Sequence, residues 1–380
     1  MEETVIGLRQ FCRTLAPLAI VGSCAVAALG AGGSARAADV VVPGTTDFPE
    51  SMHASADGTL YFSSFGNGRI WRAKPGETQA SEFIKSGSNG LASALGVLAD
   101  DKSNTLYVCS DDFSAAGIKI PGATATSLKL FDLKTGEPKG SIPTPGQATL
   151  CNDIVVANDG TAYITDSFAG HILRLKPGAK EFEVWAHDPR WDVPGKPELD
   201  GLAILPDGAI YANIFEGDGL YRIPINADGS AGTITKLQTS RPLYHSDGMR
   251  AFGPNKLIML EGETKGNLDL ITIDGDNAKI ETIKGGFDGP VSCPPPAIWC
   301  SCRTAEELCT PITHRPARSS GTTAMASAIR AASSATLPAA SSSSPSPPAL
   351  AGCSPMVGAR SSASPTRACH VMRASWSSTA

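Results

Sequence analysis

The stretch Ala56-Asp57-Gly58-Thr59-Leu60-Tyr61 occurs three times in this chain with small changes. Its other copies are Asn158-Asp159-Gly160-Thr161-Ala162-Tyr163 and Pro206-Asp207-Gly208-Ala209-Ile210-Tyr211. In each copy a tyrosine lies three residues after the glycine, and an arginine lies fourteen residues after it, at Arg72, Arg174 and Arg222. Such regular spacing indicates an internal structural repeat.

The Asp-Gly pair in each copy is typical of a tight turn between two strands, because glycine tolerates the positive φ that hairpin turns require. The apolar and aromatic residues after it predict strands over residues 59–63, 161–165 and 209–213. A second turn then leads into further strands, as at residues 69–73 and 171–175. Each repeat therefore predicts an antiparallel meander.

Two weaker copies, centred on Tyr107 and Ile258, extend the series. The anchor positions 61, 107, 163, 211 and 258 are separated by 46, 56, 48 and 47 residues. A period of this length built only of strands is typical of propeller blades. Residues 287–292 resemble the opening of a further blade. We predict an all-β, six-bladed β-propeller whose sixth blade is truncated or corrupted by an aberrant C-terminal tail.

The first segment, residues 1–37, has the features of a signal peptide. Arg9 and Arg13 precede an apolar run over residues 15–31, and Ala35-Arg36-Ala37 provides a cleavage pattern. We predict removal on export and a secreted or periplasmic mature protein with no membrane span. An N-terminal membrane anchor is the alternative, although the apolar run is short and broken.

The last segment, residues 293–380, has seven arginines but no lysine, aspartate, phenylalanine or tyrosine, and it is rich in Ser, Ala and Pro. This composition predicts disorder. The abrupt change after Ser292 suggests a reading-frame slip, with a genuine Ser/Pro-rich secreted tail as the alternative. The tail contains six of the ten cysteines. Of the others, Cys109 and Cys151 lie in the body, where a bridge and two free thiols are equally compatible with the sequence.

The body, residues 38–292, is acidic. The tail has seven arginines and two acids and the leader three arginines and two acids, so a total charge of −5 leaves −11 for the body. This charge argues against nucleic acid and anionic membrane surfaces as partners. It is compatible with a protein that binds cations.

Counting back eleven residues from each anchor gives Glu50, Gly96, Asn152, Asp200 and Asp247. Equivalent positions on the inner strands of a propeller converge on its channel, so we expect the four oxygen-bearing side chains to surround one point. Crowded carboxylates favour a cation, and oxygen ligands favour a hard one. Ca²⁺ is the ion we expect first, with Mg²⁺, Zn²⁺ or Mn²⁺ as alternatives. Recurring turn residues would also explain the pattern. The adjacent Asp153 is expected to face the other side of its strand.

These blade starts resemble those of the gluconolactonase, regucalcin (senescence marker protein) and paraoxonase families, which are six-bladed propellers with a catalytic divalent cation in the pore. Those families draw Glu, Asn, Asn and Asp from blades one, three, four and five. This chain offers Glu50, Asn152, Asp200 and Asp247. It departs from the pattern in reading Phe-Pro-Glu-Ser at residues 48–51 and in the aspartate at position 200, whose extra carboxylate favours Ca²⁺. It also lacks the arginine that sugar-lactone enzymes tend to place just before the residue equivalent to Asn152, so the resemblance does not imply aldonolactone specificity.

The resemblance implies a metal-dependent hydrolase that opens a lactone ring, with a small lactone or sugar-derived molecule as substrate. Asp247 would be the general base and Asn152 would hold metal and substrate oxygen together. His245 is an alternative base. A non-catalytic ligand- or partner-binding propeller with a structural Ca²⁺ is the main alternative function, and strictosidine-synthase-like or lyase chemistry is another. The sequence does not indicate an oligomeric state.

Overall fold

The computed structural model describes residues 40–44, 46–193, 195–262, 264–288 and 291–292, all within one compact unit of the chain. The predicted signal peptide and tail lie outside these residues. Within the described part of the chain, no helix has the length and hydrophobicity of a transmembrane segment.

The chain forms a β-propeller, with five antiparallel sheets arranged as successive blades. Blade one contains β1 (Pro49–Ala54), β2 (Leu60–Ser64), β3 (Ile70–Ala73) and β4 (Ser81–Ile84). Blade two contains β5 (Ser93–Asp100), β6 (Thr105–Asp111), β7 (Ser127–Asp132) and β8 (Pro138–Pro143). Blade three contains β9 (Cys151–Val156), β10 (Ala162–Asp166), β11 (His171–Leu175) and β12 (Glu183–His187).

Blade four contains β13 (Leu199–Ile204), β14 (Ala209–Ile214), β15 (Leu220–Pro224) and β16 (Thr235–Lys236). Blade five contains β18 (Ser246–Ala251), β19 (Lys256–Glu261), β20 (Thr264–Asp274) and β21 (Asn277–Asp288), and β17 (Gln238–Thr239) pairs in parallel with β21. Short 3-10 helices cover Ser88–Gly90, Ser114–Ala116 and Pro189–Trp191. The predicted strand 171–175 coincides with β11, and the predictions at 59–63 and 161–165 begin one residue early.

The sequence repeat has a direct structural cause. The repeated tyrosine lies on the second strand of its blade, and the repeated arginine lies opposite it on the third: Tyr61 pairs with Arg72, Tyr163 with Arg174 and Tyr211 with Arg222. All three tyrosines are buried. The fixed spacing therefore preserves a cross-strand pair, which is the unit that stabilises a sheet.

The hydrophobic core lies between the blades. Separate clusters of buried side chains fill the spaces between blades one and two, two and three, three and four, and four and five. The inner strands also meet in order, since β1 packs on β5, β5 on β9, β9 on β13 and β13 on β18. This order brings the starts of the inner strands to a common centre.

Residues 291 and 292 follow blade five and return to this centre. The Gly248 amide donates to the Val291 carbonyl at 3.2 Å, and the Met52 amide donates to Ser292 Oγ at 3.2 Å. These two residues therefore lie between β18 and β1, where the inner strand of a sixth blade would begin.

Candidate metal centre

Every inner strand carries a β-bulge near its start, where two residues face a single residue of the second strand. The bulge pairs are Glu50-Ser51 opposite Ser63, Leu95-Gly96 opposite Cys109, Asn152-Asp153 opposite Thr165, Asp200-Gly201 opposite Asn213, and Asp247-Gly248 opposite Leu260. A bulge interrupts the alternation of side chains and redirects them. The four predicted ligands all occupy the first bulge position.

Polar side chains opposite the bulges accept the amide protons that the interrupted ladder leaves unpaired. Thr165 Oγ1 accepts from the Asp153 amide at 2.9 Å, and Asn213 Oδ1 accepts from the Gly201 amide at 2.7 Å. Ser63 does the same in blade one. The bulges of blades one, three and four are thus each stabilised by a buried hydrogen bond, which would be costly to lose.

Two of these side chains, on blades three and four, also tie their blade to the next. Thr165 Oγ1 donates to the Asp200 carbonyl at 2.9 Å, and Asn213 Nδ2 donates to the Asp247 carbonyl at 2.7 Å. The backbone of a candidate ligand is therefore fixed by the preceding blade.

In blade two this tie is covalent. Cys109, opposite the bulge, forms a disulfide with Cys151 at the start of β9, and their Cα atoms are 5.1 Å apart. The bridge lies beside Asn152 and fixes the start of that strand. The sequence left this pairing open, and the structure shows the bridge.

Glycines at the second bulge position allow neighbouring inner strands to approach closely. A Cβ at Gly96 would lie 2.2 Å from the Asn152 carbonyl oxygen, and one at Gly201 would lie 2.8 Å from that of Asp247. Glycine is required there by space.

The structure brings the four predicted ligands to one small cavity. The cavity has a volume of about 10 Å³ and its lining includes Glu50, Asn152, Asp200 and Asp247. Such a volume holds about one water-sized sphere. Glu50, Asn152 and Asp200 are buried, and Asp247 is half-buried. We call this space the pore cavity.

Burial makes the ionised carboxylates unfavourable. Desolvation is the main cause that raises the pKa values of Glu50, Asp200 and Asp247 well above their ordinary range. Repulsion adds to it, from Asp200 on Glu50, from Asp247 on Asp200 and from Glu50 on Asp247. A divalent cation would reverse this by stabilising the charged forms.

The predicted direction of the Asp153 side chain is wrong. It was expected to face away from the site, yet it lines the pore cavity, because the bulge breaks the alternation on which that prediction depended. Its Oδ2 accepts from Arg250 Nη1 at 2.7 Å. Among the described residues that line the cavity, Arg250 is the only basic one. In the sequence, Arg250 could have been noticed only as a charged residue within a strand that is otherwise predicted to be buried.

In blade two, the position predicted to be equivalent to Glu50 is wrong by one residue. Eleven residues before Tyr107 is Gly96, but the register places Leu95 at the position equivalent to Glu50. The cause is the hairpin, in which eight residues separate Leu98 from its partner Tyr107, whereas seven separate His53 from Tyr61. Neither residue offers a side-chain ligand.

The donor set fits a hard cation, since it offers carboxylate and amide oxygens and a large excess of negative charge. As placed, however, no group of three or more His, Cys, Asp or Glu side chains in the described ranges is arranged so that it could hold a metal ion. The chemistry therefore fits the ion, whereas a closed coordination shell would require the carboxylates to move closer together.

His245 lies beside the site without entering it. Its φ is 51°, and its ring packs 5.0 Å from that of Phe215 and 4.1 Å from that of Tyr244. It is not among the described residues that line the pore cavity. This position favours Asp247 over His245 as a base at the cavity.

Comparisons with known proteins concern the fold. Searches with protein-family models and among curated proteins found no match. A gluconolactonase from Xanthomonas campestris is similar in structure, with a TM-score of 0.49 and 16% identity over 67% of this chain and 81% of that one.

A virginiamycin B lyase from Staphylococcus aureus gives a TM-score of 0.47 and 14% identity over 66% of this chain and 74% of its own. A luciferin-regenerating enzyme gives a TM-score of 0.48 and 13% identity over 65% and 79%. At such identities the similarity says nothing about the chemistry of this chain.

Proposed function

We propose that this chain is a metal-dependent hydrolase that opens a lactone ring at a divalent cation in the pore, with Ca²⁺ the first expectation. The observation that supports this is the pore cavity itself. Four carboxylates, those of Glu50, Asp153, Asp200 and Asp247, meet there with one described basic side chain, that of Arg250. A cation would offset the remaining negative charge.

Glu50, Asn152, Asp200 and Asp247 would hold the ion, since each lies at the first position of a bulge whose backbone accepts a hydrogen bond from, or donates one to, a neighbouring side chain. When bound, the ion would polarise the lactone carbonyl and lower the pKa of water. Asn152 is positioned by a 3.1 Å bond from its Nδ2 to Ser167 Oγ, and its amide oxygen is the atom we assign to the ion.

Asp247 would be the general base. Its carboxylate takes a proton from the attacking water as the water oxygen bonds to the carbonyl carbon. The carbon–oxygen bond of the ring then breaks, and the proton passes to the departing alkoxide oxygen, giving a hydroxy acid. Apart from the amide of the adjacent Gly248, which donates to it at 2.7 Å, this carboxylate faces the pore cavity.

The disulfide and the acidic charge of the body support an extracellular or periplasmic location. The disulfide between Cys109 and Cys151 would persist in an oxidising compartment. The acidic body makes a small molecule a better substrate than nucleic acid. We therefore propose a secreted or periplasmic enzyme acting on a small lactone.

A titration assay at constant pH tests the proposal. The full chain with Ca²⁺ should release acid from five- and six-membered lactones, and chelation should stop it. Asp247→Asn should lower kcat by at least 100-fold, in the range reported for loss of a general base. Asp207→Asn, in an exposed turn, is the matched control and should leave kcat unchanged. Hydrolysis that persists in Asp247→Asn would exclude the assigned base.

One observation favours a second candidate, a binding propeller with a structural cation. The pore cavity has room for about one water-sized sphere, so a substrate would have to bind outside it. In that case Ca²⁺ should raise the melting temperature while every lactone remains unreacted.

A further inference from the structure

Arg250 links three blades at the level of the candidate ligands. From β18 of blade five, its Nη1 donates to Asp153 Oδ2 of blade three at 2.7 Å, and its Nη2 lies 3.4 Å from Ser51 Oγ of blade one. Arg250 is 7% exposed and Asp153 is 5% exposed. The pair is therefore desolvated and its members are strongly coupled.

Asp153 is held differently from the other carboxylates. Its Oδ2 also accepts from the Leu202 amide at 2.9 Å, and its Oδ1 accepts from its neighbour Ile154 at 2.9 Å. These bonds turn Asp153 towards the backbone and Arg250. A carboxylate satisfied in this way has less need of an added cation.

We propose that Arg250 is the built-in counter-cation of Asp153. Glu50, Asp200 and Asp247 are the other carboxylates of the described cavity lining, and Arg250 thereby sets the affinity of the pore for a divalent cation. Arg250 is a positioning and charge-setting residue that need not touch the ion. The inference rests on the proposed metal centre, but not on lactone hydrolysis.

The two members of the pair should act on ion binding in opposite directions. Loss of Arg250 adds one net negative charge to the cavity, whereas loss of the Asp153 charge removes one. A pair that served only to hold the blades together would give weaker binding whichever member was lost. The sign of the change therefore separates the two roles.

Calorimetric titration of the full chain with Ca²⁺ measures this sign. We expect Arg250→Gln to bind about tenfold more tightly than the wild type, and Asp153→Asn about tenfold more weakly, as expected for one charge acting on a divalent ion at partly screened range. The double variant should return close to the wild type, as should Arg250→Lys. Arg222→Gln, which breaks an exposed ion pair with Asp276, is the control and should not change binding.

Asp153→Asn keeps an acceptor for the Leu202 amide, so this arm can be measured even if Arg250→Gln does not fold. Equal or tighter binding by Asp153→Asn would overturn the inference, as would weaker binding by both single variants. If the wild type binds no Ca²⁺, both the metal centre and the inference are wrong. If the expected order appears while lactones stay intact, the inference stands and the proposed hydrolysis fails.

Discussion

The first two strands of each blade form a hairpin, and acidic residues recur at both of its ends. We call the end where the first strand begins the pore end, and the turn between the two strands the outer end. At the outer end, Asp57 lies in an exposed turn, where its Oδ1 accepts from the Thr59 amide at 2.9 Å. The Ser55 hydroxyl is the main cause of the lowered pKa of Asp57. At the pore end, burial is the main cause of the raised pKa of Glu50 and Asp247.

Recurrence in the sequence alone does not define a site. Asp159 and Asp207 repeat as regularly as the pore residues, yet each has its oxygen bonded to the amide two residues ahead. The pore carboxylates are instead buried on bulges, where Asp247 accepts from the adjacent Gly248 amide at 2.7 Å and burial still raises its pKa. The distinguishing property is whether the carboxylate is exposed in a turn or buried at the pore.

The largest effect should come from the covalent tie at the pore end. Replacing both Cys109 and Cys151 with serine opens a loop with a sequence separation of 42 residues, which corresponds to about 4 kcal/mol in the free energy of unfolding on a chain-entropy estimate. Denaturant unfolding with and without reductant measures it. The serine pair should not respond to reductant, whereas a turn variant such as Asp57→Asn keeps the bridge and should lose as much stability in reductant as the parent. Equal stability of the serine pair and the oxidised parent would show that the tie is dispensable.

The pH dependence should differ in sign between the two ends. Burial raises the pKa of Asp166, at the pore end of β10, to about 6. A carboxyl with a raised pKa in the folded state favours folding when protonated, so its contribution is lost as pH rises from about 4 through about 6. Relative to Asp166→Asn, the wild type should lose about 3 kcal/mol across this window.

Asp57 has a lowered pKa, so its contribution is present above about pH 4 and is lost as pH falls. Because it is exposed, we expect only a few tenths of a kcal/mol. Unfolding curves for Asp166→Asn and Asp57→Asn at several pH values provide the test. Parallel pH profiles for the two variants would contradict the distinction.

A smaller difference in stability should separate substitutions of a glycine at the pore end from those of a glycine in an outer turn. Gly201→Ala places a Cβ 2.8 Å from the Asp247 carbonyl oxygen, which should cost about 2 kcal/mol and weaken Ca²⁺ binding by displacing Asp247. Gly208, in a turn with φ of 78° and nothing within 4 Å of an added Cβ, should accept asparagine with little loss. Thermal unfolding and calorimetry on both variants would show whether crowding is specific to the pore end.

Much of the fold could be predicted because the Tyr-Arg pairs impose a fixed spacing on the sequence. The register of four inner strands followed from counting, since their hairpins have equal lengths. It failed in blade two, where the longer hairpin contains Asn104 at φ of 50°. Local patterns do not report such an insertion.

The misplacement of Asp153 has a different cause. A bulge does not change the alternation of polar and apolar residues in a recognisable way. The only indication in the sequence is the glycine at the second bulge position in the Asp-Gly and Leu-Gly pairs. Alignment of the blades offered one unused signal, because Cys109 corresponds to Thr165 and Asn213, which both reach the next blade. Val291 and Ser292 support the predicted opening of a sixth blade, while the frame-slip hypothesis concerns residues outside the described ranges.

Both proposals depend on a divalent cation bound at the pore end of the blades. A crystal structure of the full chain grown with Ca²⁺ and measured for anomalous signal tests it most directly. We expect one peak among Glu50, Asn152, Asp200 and Asp247, with oxygen distances of about 2.3–2.6 Å. A structure at saturating Ca²⁺ with no peak there, and with these carboxyl groups hydrogen-bonded to one another, would contradict the claim.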